Sequence, residues 1–209
     1  MLIVGIICAY LIGAIPFAYI FTRLIKHRDI RQEGSRNVGA TNVIRVAGKK
    51  IAFLVLILDI LKGVIVVSLL ATFFLKVTAI NQLNLRLIFA SAAIIGHIWS
   101  VFLNFKGGKG VATTLGVCFG LSFYIAEFRF LILIAIISWF LLFIITRYVS
   151  VGSMSAVLSL PLTAALKGFD FEIVLFCIFI AVLVIFKHHE NINGLITKRE
   201  TKLYFSKSH

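Results

Sequence analysis

Three stretches of this chain combine small, hydroxyl, amide and basic residues in orders suited to holding phosphate. The first reads Glu33-Gly34-Ser35-Arg36-Asn37-Val38-Gly39-Ala40-Thr41-Asn42 and runs on through Arg45 to Gly48-Lys49-Lys50. Glycine permits left-handed backbone and close approach, so successive N–H groups can converge on an anion. Ser35, Asn37, Thr41 and Asn42 add hydrogen-bonding groups, and Arg45 can grip a phosphate through two parallel bonds. An ordinary turn rich in Gly, Asn and Ser would share part of this composition.

The second stretch is Gly96-His97 followed, after an apolar segment, by Phe105-Lys106-Gly107-Gly108-Lys109-Gly110-Val111-Ala112-Thr113-Thr114. Glycines and lysines crowd the start of the next apolar run, where a helix N-terminus offers unpaired N–H groups and the positive end of its dipole. The Walker A spacing is absent, so a nucleotide-hydrolysing motor is not expected. On a continuous helix, His97 would stand ~12 Å above the Lys106 loop.

The third stretch is Lys187-His188-His189-Glu190-Asn191-Ile192-Asn193, with Glu200-Thr201-Lys202 beyond it. Adjacent histidines point apart on a helix and no third ligand is close in sequence, which disfavours a metal site. A hydrogen-bonding wall for an anion, or a general base, fits these residues better.

The elements that must position these groups are membrane helices. The chain is 61% hydrophobic with a mean hydropathy of +1.07, and its charges sit in short clusters between apolar runs. The net charge of +13 is therefore an orienting charge against an anionic leaflet, and nucleic-acid binding is not expected. Cys8, Cys118 and Cys177 each fall in an apolar run, without zinc or disulfide spacing.

Runs near the ~20 residues needed to cross a bilayer are Leu2–Thr22, Ile51–Leu75, Leu87–Phe105, Val111–Ala126, Phe130–Ile145, Val149–Leu166 and Ile173–Phe186. The expected fold is all-α, a single polytopic bundle over residues 1–209 with about seven spans, or five or six if short runs are re-entrant. The first run lacks a charged leader and a cleavage site, so it is expected to remain as a helix. Alternate connections carry sixteen Lys and Arg on one side and four on the other, counting 76–86 as a connection. That asymmetry predicts the N-terminus outside, the C-terminus in the cytoplasm, and all three polar stretches gathered at the cytoplasmic face. The long connection Arg23–Lys50 is expected to be functional. Asp59 and Lys62, three residues apart inside the second run, share a helix face and form either a structural ion pair or part of an active-site floor.

The phrases GSRNVGATNVIR, GHIWSVFLNFKGGKGVAT and HHENINGLITKRETK, in this order between apolar helices, resemble the bacterial acylphosphate:glycerol-3-phosphate acyltransferase family. The resemblance spans nearly the whole chain and extends to Asp59-x-x-Lys62-Gly63. It implies a seven-helix protein of the bacterial inner membrane that opens to the cytoplasm. The implied reaction moves a fatty acyl group from acyl phosphate to the 1-hydroxyl of glycerol 3-phosphate, yielding lysophosphatidate and phosphate early in phospholipid synthesis. It further implies that Ser35, Asn37, Thr41, Asn42, Arg45, His97, Lys106, Lys109, His188, Asn191 and Glu200 bind substrate or act on it. Arg36 stands where the family usually has Gly, Ser100 where Pro is common, and Gly194 where Arg is common.

On this reading, Gly107, Gly108, Gly110, Thr113, Lys106 and Lys109 hold the acyl phosphate. Gly34, Ser35, Arg45 and the third stretch position glycerol 3-phosphate, with Asp59 and Lys62 as polar support within the membrane. Ser35, Arg45, Lys109 and His188 are the expected catalytic groups. An acyl phosphate is already activated, so no metal, cofactor or protein partner is expected, and His188, His97 or a substrate phosphate is the proton acceptor. The alternative is a transporter or channel for phosphate-bearing solutes, although alternating access favours polar groups at the midplane.

Overall fold

A computed structural model describes residues 1–203; Lys207, counted above in the basic tail, lies outside the described residues. Each apolar run folds as a helix, the conformation that satisfies its own backbone groups in hydrocarbon, and no strand occurs among the described residues. The chain divides into two units, one from Met1 to Phe128 and the other from Arg129 onward.

In the first unit, the opening run comprises α1 (Leu2–Ala14) and α2 (Phe17–Lys26), broken at Ile15-Pro16 because proline has no N–H to continue the helix. The carbonyls released there regain donors. The Ser100 hydroxyl donates to the Ala14 carbonyl at 2.6 Å, and Lys62 Nζ donates to the Ile15 carbonyl at 3.0 Å. Two helices of the first polar stretch and the second run follow, α3 (Ala40–Ala47) and α4 (Lys49–Ile65). A π-helical turn, Val66–Leu70, joins α4 to α5 (Ala71–Leu75). Next come α6 (Gln82–Ile98), a 3-10 turn at Val101–Leu103, and α7 (Val111–Leu121).

Small residues let these helices touch. A Cβ at Gly63 would lie 2.6 Å from the Thr113 carbonyl oxygen, and one at Gly116 would overlap the Ile60 carbonyl. With α4 and α7 in backbone contact, van der Waals packing replaces the hydrophobic drive that lipid cannot supply. A core of Ala9, Val66, Phe74, Leu85, Phe89 and Ala93 joins α1, the π turn, α5 and α6. A separate cluster containing Ile30, Val38, Val43, Val55 and Leu103 seats the first polar stretch.

Arg86 belongs to α6 rather than to a connection, and it is only 1% exposed. Its guanidinium donates to the Val67 carbonyl within the π turn and to Thr72 Oγ1 at 3.0 Å, and it stacks 3.4 Å above the Tyr124 ring. The π turn interrupts the regular backbone ladder, and the five-donor arginine fork supplies a partner to its carbonyl. Arg129 likewise falls within a helix, so of the four basic residues counted on the sparser side only Lys76 and Lys167 lie in connections.

The second unit contains most of α8 (Glu127–Thr146), then α9 (Val149–Leu166), α10 (Phe171–Lys187) and α11 (His189–Ile196). Pro161 lies inside α9, which remains continuous. α10 and α11 meet at a bend of 57°.

Among the described residues, five helical segments are long and apolar enough to cross a membrane, with α1–α2 and α4–α5 each counted as one, and six if the bent α10–α11 pair crosses as one. The fourth expected run supplies only the 11 residues of α7. At ~1.5 Å per residue, that is about half of a ~30 Å hydrocarbon core.

Candidate functional site

The first polar stretch is folded around Asn42. Its buried Nδ2 lies within bonding distance of the carbonyls of Ile30 (3.3 Å), Glu33 (3.0 Å) and Asn37 (3.1 Å). Its Oδ1 accepts the Ser35 N–H at 2.9 Å. Asn42 thus closes the loop, its amide engaged by backbone at both ends. Gly34 has φ +57°, and a Cβ there would overlap Asn42 Oδ1. Arg36 is also left-handed, at φ 59°, which gives a backbone reason for glycine at that position in the resembling family.

Asn42→Ala is expected to open this loop, leaving several backbone groups without partners at ~1–3 kcal/mol each. Tryptic cleavage at Arg31 or Arg36, followed by mass spectrometry, should then run about tenfold faster or more.

Ser35 and Arg45 remain exposed at the rim, and Thr41 and Arg45, four apart, share a face of α3. Arg31 is otherwise engaged. Its guanidinium forms a two-pronged pair with Asp29, at 3.0 Å (Nε–Oδ1) and 2.7 Å (Nη2–Oδ2), and lies 4.8 Å from the Tyr19 ring centre. These hydrogen bonds from Arg31 hold the Asp29 carboxyl below its ordinary value and raise that of Arg31.

The second stretch doubles back on α6. That helix ends at Ile98, and Asn104 and Phe105 both take left-handed backbone, reversing the chain. Gly107 N–H then donates to the Ile98 carbonyl at 3.1 Å and Gly108 N–H to the His97 carbonyl at 3.0 Å. His97 is therefore in contact with the glycine loop, correcting the ~12 Å separation that a continuous helix gives. The imidazole packs on Gly108 so closely that a Cβ there would overlap Nε2. Gly110, at φ +85°, ends the loop as the N-cap of α7. Lys106 is exposed and Lys109 half-buried beside this helix start. Thr113 is fully buried, with its backbone against Gly63 where α7 meets α4.

Asp59 and Lys62 reach the same place from α4. Lys62 Nζ is 2.8 Å from Asp59 Oδ1, and His97 Nδ1 is 3.6 Å from that oxygen, all three side chains being buried. A small cavity of about 10 Å³ borders Asp59, Lys62 and His97, with Val38 from the first stretch and Gly107 and Gly108 from the second. The pair is thus an ion pair that also lines a cavity shared by the first two stretches.

In the second unit, His188 is buried and its Nδ1 lies 2.7 Å from the Val184 carbonyl. A carbonyl only accepts, so Nδ1 carries the hydrogen and Nε2 is the basic nitrogen of the neutral ring. Glu200 Oε1 accepts from Asn191 Nδ2 at 2.7 Å and from the Ser150 hydroxyl at 2.9 Å. Glu200 thus orients Asn191. Ser150 was not singled out from the sequence; one hydroxyl in the first turn of an apolar helix carries no motif. Gly194 accepts the N–H groups of Arg199 and Glu200 at 2.7 and 3.0 Å, and a Cβ there would lie 3.1 Å from Glu200 Oε2. No group of three His, Cys, Asp or Glu suited to a metal occurs among the described residues.

Comparison with known proteins identifies relatives. The family described as Glycerol-3-phosphate acyltransferase matches residues 3–198. A protein of that name from Endomicrobium trichonymphae is 46% identical over 201 residues, covering 96% of this chain and 95% of its own. A solved integral membrane glycerol 3-phosphate acyltransferase, PlsY (YgiH), is similar in its glycerol 3-phosphate form at 39% identity and a TM-score of 0.84, covering 97% of this chain and 96% of that one. Its lysophosphatidic acid form gives 37% identity and a TM-score of 0.80, with 97% and 95% covered.

Proposed function

The chain belongs to the glycerol-3-phosphate acyltransferase family, and from that membership we propose that it uses an acyl phosphate as donor, acting at the cytoplasmic face of the bacterial inner membrane. It is an integral membrane acyltransferase, and its relatives favour transfer over the transport alternative. The observation that carries the reading is the match, over 97% of the chain, to a protein solved in both a glycerol 3-phosphate and a lysophosphatidic acid form. The continuous family match from residue 3 to 198 supports treating 1–209 as one acyltransferase domain. The excess of Lys and Arg in alternate connections supports an outside N-terminus and a cytoplasmic C-terminus.

In the proposed reaction, the 1-hydroxyl oxygen of glycerol 3-phosphate attacks the acyl carbonyl carbon. A carbon–oxygen bond forms, the bond to the phosphate oxygen breaks, and phosphate leaves with the electron pair. Lys106, Lys109 and the backbone amides at the start of α7 hold the donor phosphate, where the helix dipole favours negative charge, while Gly107 and Gly108, whose amides go to the Ile98 and His97 carbonyls, shape the loop. The same donors stabilise charge developing on the leaving group. Arg45 and Ser35 hold the acceptor phosphate. In the second unit, Asn191, oriented by Glu200, is an acceptor-binding group, and His188 Nε2 takes the hydroxyl proton when a substrate phosphate does not.

Purified protein in detergent, given acyl phosphate and glycerol 3-phosphate, is expected to release lysophosphatidate and phosphate in equal amounts. Detergent abolishes transport across a bilayer and leaves acyl transfer intact. Absence of product from folded protein would overturn the reading, and equal activity with an acyl thioester would overturn the choice of donor.

A further inference from the structure

We propose that Asp59 is a positioning residue for acyl transfer: paired with Lys62, it orients the His97 imidazole that supports the Gly107–Gly108 loop. The proposal rests on the reading that this loop holds the donor phosphate. Asp59 Oδ1 has two cationic or polar neighbours, Lys62 Nζ at 2.8 Å and His97 Nδ1 at 3.6 Å. On the other side of the ring, Nε2 packs against Gly108, while the His97 carbonyl accepts the Gly108 N–H at 3.0 Å. Rotation of this imidazole therefore displaces the loop.

The alternative is that Asp59 only balances the charge of Lys62. Lys62 has an evident structural task, since it supplies a donor to the Ile15 carbonyl at the proline break. That task does not explain a carboxylate. A buried ion pair is expensive to keep within a membrane, and an apolar pair of similar volume is often as stable. A hydroxyl such as the one Ser100 gives to Ala14 shows that a neutral donor can serve the same break. What the carboxylate adds is a negative charge 3.6 Å from one ring nitrogen of His97, close enough to favour one orientation of the imidazole electrostatically.

The test is a double-mutant cycle between Asp59 and His97, carried out in purified full-length protein with both substrates. To keep the protein folded, Asp59→Asn is combined with Lys62→Gln, giving a neutral, near-isosteric pair. Acting through His97, the neutral pair is expected to lower kcat about tenfold to a hundredfold, with KM for glycerol 3-phosphate changed less than threefold. In a His97→Gln background it should add less than about twofold. Hydrogen exchange across residues 105–110 should also rise about tenfold, a readout independent of turnover. Full kcat in the neutral pair, or equal losses in both His97 backgrounds, would show a counter-charge alone and overturn the proposal. Absence of acyl transfer in unaltered protein would instead remove the reaction on which it rests.

Discussion

Gly108→Ala is expected to lower kcat at least about a hundredfold while leaving the helices intact. The position has ordinary backbone, so the penalty is not one of conformation; it is the methyl group itself, which would overlap His97 Nε2 and lie 3.1 Å from Cε1. Something must move. The imidazole is confined by Asp59 on one side and the loop on the other, so the loop is displaced by about an ångström, a misplacement that typically costs ~10²-fold in rate. Steady-state kinetics with both substrates and thermal unfolding in detergent check this. A kcat within threefold of the unaltered value would mean that the loop does not hold the reacting group.

Arg45→Ala should lower kcat/KM for glycerol 3-phosphate by about 100- to 1,000-fold, corresponding to ~3–4 kcal/mol of lost charge-assisted hydrogen bonding. Arg45 is exposed on α3 and has no part in closing its loop, so the unfolding temperature should stay near that of the unaltered protein. Arg45→Lys should recover little, because an ammonium does not reproduce the planar two-pronged fork. Normal kinetics in the alanine variant would remove Arg45 from the acceptor site.

Much of the architecture was legible in the residues because hydrocarbon leaves the backbone few choices. The seven apolar runs gave the helices, and the glycines, lysines and Arg45 gave the polar stretches. What escaped depends on where backbone polar groups lose their own partners. Asn42 reads like a ligand group in sequence and is a loop clasp in space, because it lies within bonding distance of three carbonyls five, nine and twelve positions away. Arg86 reads as a loop cation and is a buried partner for the Val67 carbonyl in the π turn. Ser100 and Lys62 attend a break made by Pro16, a relation between three segments that no local pattern encodes. His97 was misplaced because residue spacing assumes the helix continues, whereas α6 stops at Ile98.

The brevity of α7 makes protein, not lipid, its main surroundings. Its 11 residues begin at the glycine loop, and a rise of ~1.5 Å per residue cannot match a full leaflet pair. Seven of them are buried against neighbouring helices, which shield a helix too short to span from hydrocarbon. The loop at its start is thereby anchored by those neighbours, and its place in the molecule does not depend on the length of the acyl chains outside.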